Sequence, residues 1–171
     1  IQEHLIPKYN SPFAIETCHI KLKDSDLAAE ITRHLFNTAR EYVESFDVYG
    51  SKLTFEWQQT EKEEPVVFEG EKARRVKVPD YAHLLPEGIR RYTTKGVYDA
   101  AENVHLSFKQ GSGHGGSHPH MAHELVMSIV DDREPFPNAA QSANWTCVGI
   151  LAHESALKGG AILKLPDFKQ A

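Results

Sequence analysis

Hydrophobic and polar residues alternate along much of the N-terminal two-thirds of the chain, as they do in β-strands that bury one face. Short polar or glycine-containing turns separate the alternating stretches, which is typical of hairpins. The pattern therefore predicts a series of short strands, at 13–22, 45–49, 53–57, 65–68, 74–78 and 103–108. A last alternating stretch at 161–165 predicts a strand near the end of the chain.

Other stretches repeat apolar residues every three or four positions, which is typical of amphipathic helices. They predict helices over about 26–40, 119–131 and 138–158, with a short helical turn near 87–91. Asn138 and Gln141 predict a capping box at the start of the long helix, and Gly159 and Gly160 predict its end. The helical side chains expected to pack in the core are Ala122, Leu125, Ile129 and Trp145.

Strands joined by hairpins, with few helices and no regular βαβ alternation, predict an α+β fold. We expect an open, mainly antiparallel sheet with helices on one face. A chain of 171 residues is long enough to bury a core of its own. We therefore expect residues 1–171 to form a single domain.

Composition narrows the function classes. The net charge of −5 and the lack of a basic run argue against a nucleic-acid surface. No apolar run approaches the roughly 18–20 residues of a membrane span. Cys18 and Cys147 lie far apart without CxxC spacing, as expected for reduced thiols in a cytosol-like compartment. We therefore expect a cytoplasmic protein; an export signal, if there is one, would lie upstream of Ile1.

The densest candidate chemistry lies in residues 111–124, where a glycine-rich segment leads into a predicted helix. Glycines let a backbone approach a ligand closely, and the start of a helix offers unpaired N–H groups. Imidazoles there can bind hydroxyls, move protons or ligate a metal. A metal site and a helix-capping surface loop both remain open as alternatives. The histidines of this segment are His114, His118, His120 and His123.

Several enzyme motifs occur only in part. Gly111, Gly113 and Gly116 satisfy G-x-G-x-x-G, but the following helix leads into another helix instead of the parallel strand that dinucleotide binding needs. The pairs His123-Glu124 and His153-Glu154 begin like a zincin motif but lack the second histidine four residues on. We therefore expect no cofactor to be bound by this chain alone and assign no metal ligands, while a looser set of His118, His120 and His123 or Glu124 remains the metal alternative.

Three sequence segments resemble the C-terminal part of the Gfo/Idh/MocA oxidoreductase family: 115–124, 143–146 and 152–160. The segment 44–50 fits the same alignment. The resemblance implies an open-faced, mainly antiparallel sheet that serves as a substrate and oligomerisation domain. It also implies an N-terminal Rossmann domain, absent here, that holds NAD or NADP. Family substrates are mostly sugars, polyols and their derivatives, and some relatives cleave glycosides through a transient ketone.

Two family elements are missing from the sequence. The lysine of Glu-Lys-Pro is absent, and Asp80-Tyr-Ala-His83 has one residue too few for the family's Asp-x-x-x-His pair. These elements lie upstream in relatives, so we expect the catalytic residues upstream of Ile1 and this chain alone to be inactive.

The resemblance therefore predicts the substrate-binding and oligomerisation portion of an NAD(P)-dependent dehydrogenase, or related oxidoreductase, for a sugar, polyol or glycoside. His114, His118 and His120 are the residues expected to hold substrate hydroxyls. The expected partners are a small carbohydrate and further copies of the chain bound through the sheet, with no nucleic acid and no membrane. The alternative is a stand-alone sheet domain for assembly or carbohydrate binding, without catalysis.

Overall fold

The computed structural model describes residues 6–34, 44–60, 62–90, 93, 98–99, 104–105 and 117–168. The strands are β1 (Ile15–Lys21), β2 (Ala28–His34), β3 (Val48–Tyr49), β4 (Thr54–Glu56), β5 (Val66–Glu69), β6 (Lys72–Arg75), β7 (Tyr98–Asp99) and β8 (Val104–His105). The helices are α1 (Ile6–Tyr9), α2 (Glu87–Arg90), α3 (Ser117–Val130) and α4 (Ala139–Leu157).

All strand pairs among the described residues are antiparallel, in sheets of two, four and two strands. The predicted α+β class with open antiparallel sheets is therefore confirmed. The chain divides into two compact units. We call the one within 1–41 and 137–171 the terminal unit, and the one within 42–136 the middle unit. The single domain that the chain length suggests stays a prediction.

A hairpin of β1 and β2 forms the sheet of the terminal unit, with Ile15 opposite His34 and Lys21 opposite Ala28. Exposure alternates strictly along β1, as the sequence predicts for a strand. The helix predicted over 26–40 is wrong at 28–34, where the chain forms β2. Pairing with β1 overrides the helical spacing and suits the β-branched Ile31 and Thr32. Residues 35–40 of that predicted helix lie outside the described residues.

α4 is the longest helix of the terminal unit, and the sequence predicts both of its ends correctly. Asn138 accepts a hydrogen bond from the Gln141 N–H at 2.9 Å, and Gln141 accepts one from the Asn138 N–H at 3.0 Å. The helix ends before Gly159 and Gly160, which have φ of +70° and +86°. This left-handed backbone favours glycine because glycine carries no Cβ.

The strand predicted at 161–165 is wrong, because residues 161–168 form no strand pair with any described residue. Side chains of α4 hold this segment instead. Ser155 donates to the Ala161 carbonyl. The Asn144 side chain donates to the Phe168 carbonyl at 2.9 Å and accepts from its N–H at 3.0 Å. An alternating sequence thus gives an extended segment without a sheet.

The middle unit contains a four-stranded antiparallel meander in the order β3-β4-β5-β6. Its first hairpin closes where the Gly50 N–H donates to the Leu53 carbonyl at 3.0 Å, as the predicted turn requires. Gly70, at φ +59°, supplies the left-handed residue of the turn between β5 and β6. The strand predicted at 65–68 corresponds to β5, whereas the one predicted at 74–78 overlaps β6 only at Arg74 and Arg75.

Few side chains of the described residues are fully enclosed. The buried apolar ones are Pro65, Leu85 and Cys147, and the buried polar ones are Ser11 and Ser128. The predicted packing of Leu125, Ile129 and Trp145 in the core is wrong, because all three are more than half exposed, and Ala122 is exposed too. Helical spacing shows which residues share a face of a helix, but not what covers that face.

Candidate functional site

The histidine-rich segment enters α3 as the sequence predicts. α3 begins at Ser117, so His118 and His120 lie in its first turn, while His114 lies outside the described residues. His118 is exposed and His120 is partly buried. Residues two apart on a helix point to different sides. The start of α3 therefore carries two imidazoles that do not share one face.

The first turn of a helix has N–H groups without intrahelical acceptors, and a neutral imidazole offers one donor and one acceptor. Together these groups suit a ligand with several hydroxyls. The geometry of the described residues is compatible with substrate binding by His118 and His120, and their role stays a prediction.

Glu124, one of the candidate metal ligands, is already engaged. Its carboxylate accepts two hydrogen bonds from Arg133, at 2.6 and 2.8 Å, and one from the Phe136 N–H at 3.0 Å. The hydrogen bonds from Arg133, and then that from Phe136, lower the pKa of Glu124 to about 2. These contacts fix the loop that follows α3. Among the described residues, no group of three or more His, Cys, Asp or Glu side chains could hold a metal ion.

A second cluster of polar residues lies in the terminal unit, and we call it the Glu16 cluster: Glu16, Arg33 and His153. Glu16 Oε2 accepts a hydrogen bond from Arg33 Nη2 at 2.8 Å, and Oε1 accepts one from His153 Nδ1. Only 10% of the Glu16 side chain is exposed, compared with 57% for Arg33 and 35% for His153. One largely buried carboxylate therefore joins three elements of the fold.

The local structure explains how these residues meet. The alternation of β1 places Glu16 on its half-buried side with Cys18 and Ile20, and antiparallel pairing sets Glu16 directly opposite Arg33. The Phe13 and His153 rings lie in a T-shaped arrangement, with centroids 6.1 Å apart and planes at 77°. The cluster therefore combines a carboxylate, a guanidinium and an imidazole beside an aromatic ring.

The sequence reasoning missed this cluster. The predicted helix over 26–40 separated Arg33 from Glu16, and His153 was interpreted together with its neighbour Glu154. In the structure Glu154 instead forms an ion pair with Lys158, one helical turn further on. A prediction of a β-hairpin over 13–34 would have placed Glu16 opposite Arg33. No short sequence pattern predicts the contact of Glu16 with His153.

The middle unit exposes an aromatic cluster on one face of its four-stranded sheet. The Phe46 ring stacks on Phe55 with centroids 5.3 Å apart and lies 5.0 Å from the Trp57 ring. Phe46 and Val48 are 58% and 53% exposed. Asp47 fixes the edge of this sheet, since its Oδ1 accepts from the Trp57 N–H at 2.8 Å. An exposed apolar surface of this kind marks a contact site more often than a lone exposed side chain does.

One shallow groove lies within the terminal unit, between α4 and the extended segment after it. Apolar residues make up most of its lining: Cys147, Ile150, Leu151, Lys164, Leu165, Pro166 and Asp167. None of the described helices is both long enough and apolar enough to cross a membrane. The chain matches no protein-family model, no curated protein and no solved structure.

Proposed function

We propose that this chain is the substrate-binding and oligomerisation portion of an NAD(P)-dependent oxidoreductase that acts on a sugar, polyol or glycoside. The observation that carries the proposal is the start of α3 at Ser117, directly after a glycine-rich segment, with His118 and His120 in its first turn. The same residues belong to the longest sequence segment that resembles the Gfo/Idh/MocA family. An α+β fold with open antiparallel sheets agrees with the substrate domain that this resemblance implies.

Sugars and polyols require many positioned hydrogen bonds, because each hydroxyl both donates and accepts. His114, His118 and His120 would each supply one donor and one acceptor when neutral. Backbone N–H groups in the first turn of α3 would add further donors. In this proposal the chain holds and orients the substrate.

The described residues do not fit NAD or NADP. A dinucleotide-binding βαβ unit needs parallel strands, whereas every described strand pair is antiparallel. In the proposal, the cofactor and the groups that transfer protons belong to a nucleotide-binding domain upstream of this chain. In the proposal, this chain binds the substrate and contributes no step of hydride transfer.

The exposed aromatic cluster of the middle unit supports the assembly part of the proposal. Phe46 and Val48 lie on the same face of the sheet as Phe55, and both are more than half exposed. A second copy of the chain would remove this apolar surface from water. The oligomer would then form through the sheet.

The test measures kcat/KM with sugar and polyol substrates for His114→Ala, His118→Ala and His120→Ala in the protein that contains this chain. A lost hydrogen bond to the substrate or transition state costs roughly 1–3 kcal/mol, so we expect about a ten- to hundredfold loss of kcat/KM. Thermal unfolding of the same variants is the control, because a capping role would lower Tm and leave kcat/KM nearly unchanged. Near-wild-type kcat/KM in all three variants would refute the substrate site.

The rival function is a stand-alone sheet domain for assembly or carbohydrate binding, without catalysis. The aromatic cluster of Phe46, Phe55 and Trp57 favours it, since aromatic rings provide large contact areas. Oligomers that form through this sheet, in a protein without any NAD(P)-dependent turnover of sugars or polyols, would support this rival.

A further inference from the structure

The Glu16 cluster is a built polar site that the proposed function does not use. Its three side chains come from β1, β2 and α4, and Glu16 lies between the other two. An ionised carboxylate only accepts hydrogen bonds, so Nδ1 of His153 must carry the proton in this contact. In the neutral imidazole, Nε2 is then a hydrogen-bond acceptor. Glu16 thus fixes both the orientation and the tautomer of His153.

Two of these side chains keep unused hydrogen-bonding capacity. Within the described part of the chain, no hydrogen bond reaches Nε2 of His153, and Arg33 is bonded only through Nη2 to Glu16. Both side chains are partly exposed, at 35% for His153 and 57% for Arg33. The cluster therefore offers a fixed acceptor on the imidazole and several donors on the guanidinium.

Charge decides which ligand fits. Glu16 neutralises Arg33, so the cluster carries no net charge while His153 is neutral. An anion would compete with Glu16 for Arg33 and would be repelled by the carboxylate. A neutral hydroxyl group has no such penalty, because it can donate to Nε2 and accept from the guanidinium. The ring of Phe13 beside His153 adds an apolar surface for carbon-bound hydrogens.

We propose that Glu16, Arg33 and His153 form a second hydroxyl-binding site, which takes two neighbouring hydroxyls of a neutral sugar or polyol. One hydroxyl donates to Nε2 of His153, and its neighbour accepts from Arg33. The ligand class rests on the proposed function, whereas the tautomer of His153 does not. Its three residues belong to the terminal unit, whereas His118 and His120 belong to the middle unit.

The hairpin provides a matched control pair. His19 Nδ1 and Glu30 Oε2 are 3.8 Å apart on the outward side of β1 and β2, with 80% and 60% of their side chains exposed. This pair has the same residue types on the same hairpin, but it is largely exposed and forms no hydrogen bond with a third element among the described residues. We expect the two ring nitrogens of His19 to be unaffected by neutral sugars or polyols.

The test is NMR of the histidine ring nitrogens in the ¹⁵N-labelled chain, titrated with myo-inositol, mannitol and methyl β-D-glucopyranoside. Histidine-to-glutamine variants assign the signals. We expect His153 to be the tautomer protonated at Nδ1, and its Nε2 signal to shift saturably with at least one probe. Glu16→Gln and Arg33→Lys should each weaken that binding about tenfold, while Glu30→Gln leaves it unchanged.

Three results would overturn the site. They are a proton on Nε2 of His153, an Nε2 signal that no probe shifts, or a larger saturable shift with sodium acetate, which would indicate an anion site. Circular dichroism of each variant checks that it folds, and Arg33→Lys tests the site if Glu16→Gln does not fold. Shifts at His118 and His120 report the first site in the same spectra. If they shift while His153 does not, the second site is wrong and the proposed function survives.

Discussion

Two glutamates bound by arginine show how differently the two units use the same contact. In the middle unit, Glu124 and Arg133 lie nine residues apart, and Glu124 accepts two hydrogen bonds from the arginine. In the terminal unit, Glu16 divides its oxygens between Arg33, 17 residues away, and His153, 137 residues away. The first contact fixes a loop beside its own helix. The second holds a strand, its neighbour and a distant helix together, and it leaves ring and guanidinium nitrogens available.

The comparison predicts that Glu16→Ala destabilises the chain more than any other substitution considered in this section. Removing a largely buried carboxylate leaves Arg33 and His153 without their shared acceptor, at a cost of about 2–4 kcal/mol. Urea unfolding of Glu16→Ala and Glu124→Ala measures the difference. Glu124 is more exposed, so its variant should lose less stability. An equal or larger loss for Glu124→Ala would remove the contrast between the two contacts.

Loss of the N-cap of α4 should reduce the stability of the chain by an intermediate amount. Asn138→Ala removes the hydrogen bond that the Asn138 side chain accepts from the Gln141 N–H at the start of α4, and such substitutions cost about 1 kcal/mol. Asn138→Asp is the matched control, since it keeps an acceptor for the Gln141 N–H and should retain most of the stability. Chemical denaturation of the two variants measures the difference between their free energies of unfolding. A loss in Asn138→Asp as large as that in Asn138→Ala would contradict the role of the cap.

The smallest effect is the acid sensitivity of the Glu124 contact. The Arg133 and Phe136 hydrogen bonds lower the pKa of Glu124 from 4.5 to about 2 in the folded chain. The stability from this shift is therefore present above about pH 4.5 and is lost as the pH falls toward 2. Solvent screens this exposed pair, so the loss should be small. Glu124→Gln should show a flatter decline than the wild type between these pH values in urea unfolding, and an identical slope would contradict it.

Local signals in the sequence predicted local structure well. Asn138 and Gln141 mark the start of α4, glycines mark its end, and alternation marks β1, because each signal and its consequence lie within a few residues. β2 was mispredicted, since the spacing of Ala28 and Ile31 also suits a helix and only pairing with β1 decides. The fold class needed nothing beyond these local patterns.

The candidate sites also differ in how far the sequence predicts them. The start of α3 was predictable to within two residues, because the glycine-rich segment and the first turn of the helix are adjacent in sequence. The meeting of Glu16 with His153 was not, since no local pattern records a contact across 137 residues. The exposure of Trp145 was equally hidden, because helical spacing does not show what covers a helix. What a sequence shows of a site therefore depends on how close its members lie along the chain.

The Asn144 side chain has a further consequence for how the protein ages. Its amide donates a hydrogen bond to the Phe168 carbonyl and accepts one from the Phe168 N–H, as a residue of a neighbouring β-strand would. Deamidation to aspartate would keep the acceptor, remove the donor and set a negative charge against the Phe168 carbonyl. Storage could thus detach the extended segment from α4 while the chain stays intact. A mass increase of a single deamidation, located at Asn144, would identify such material.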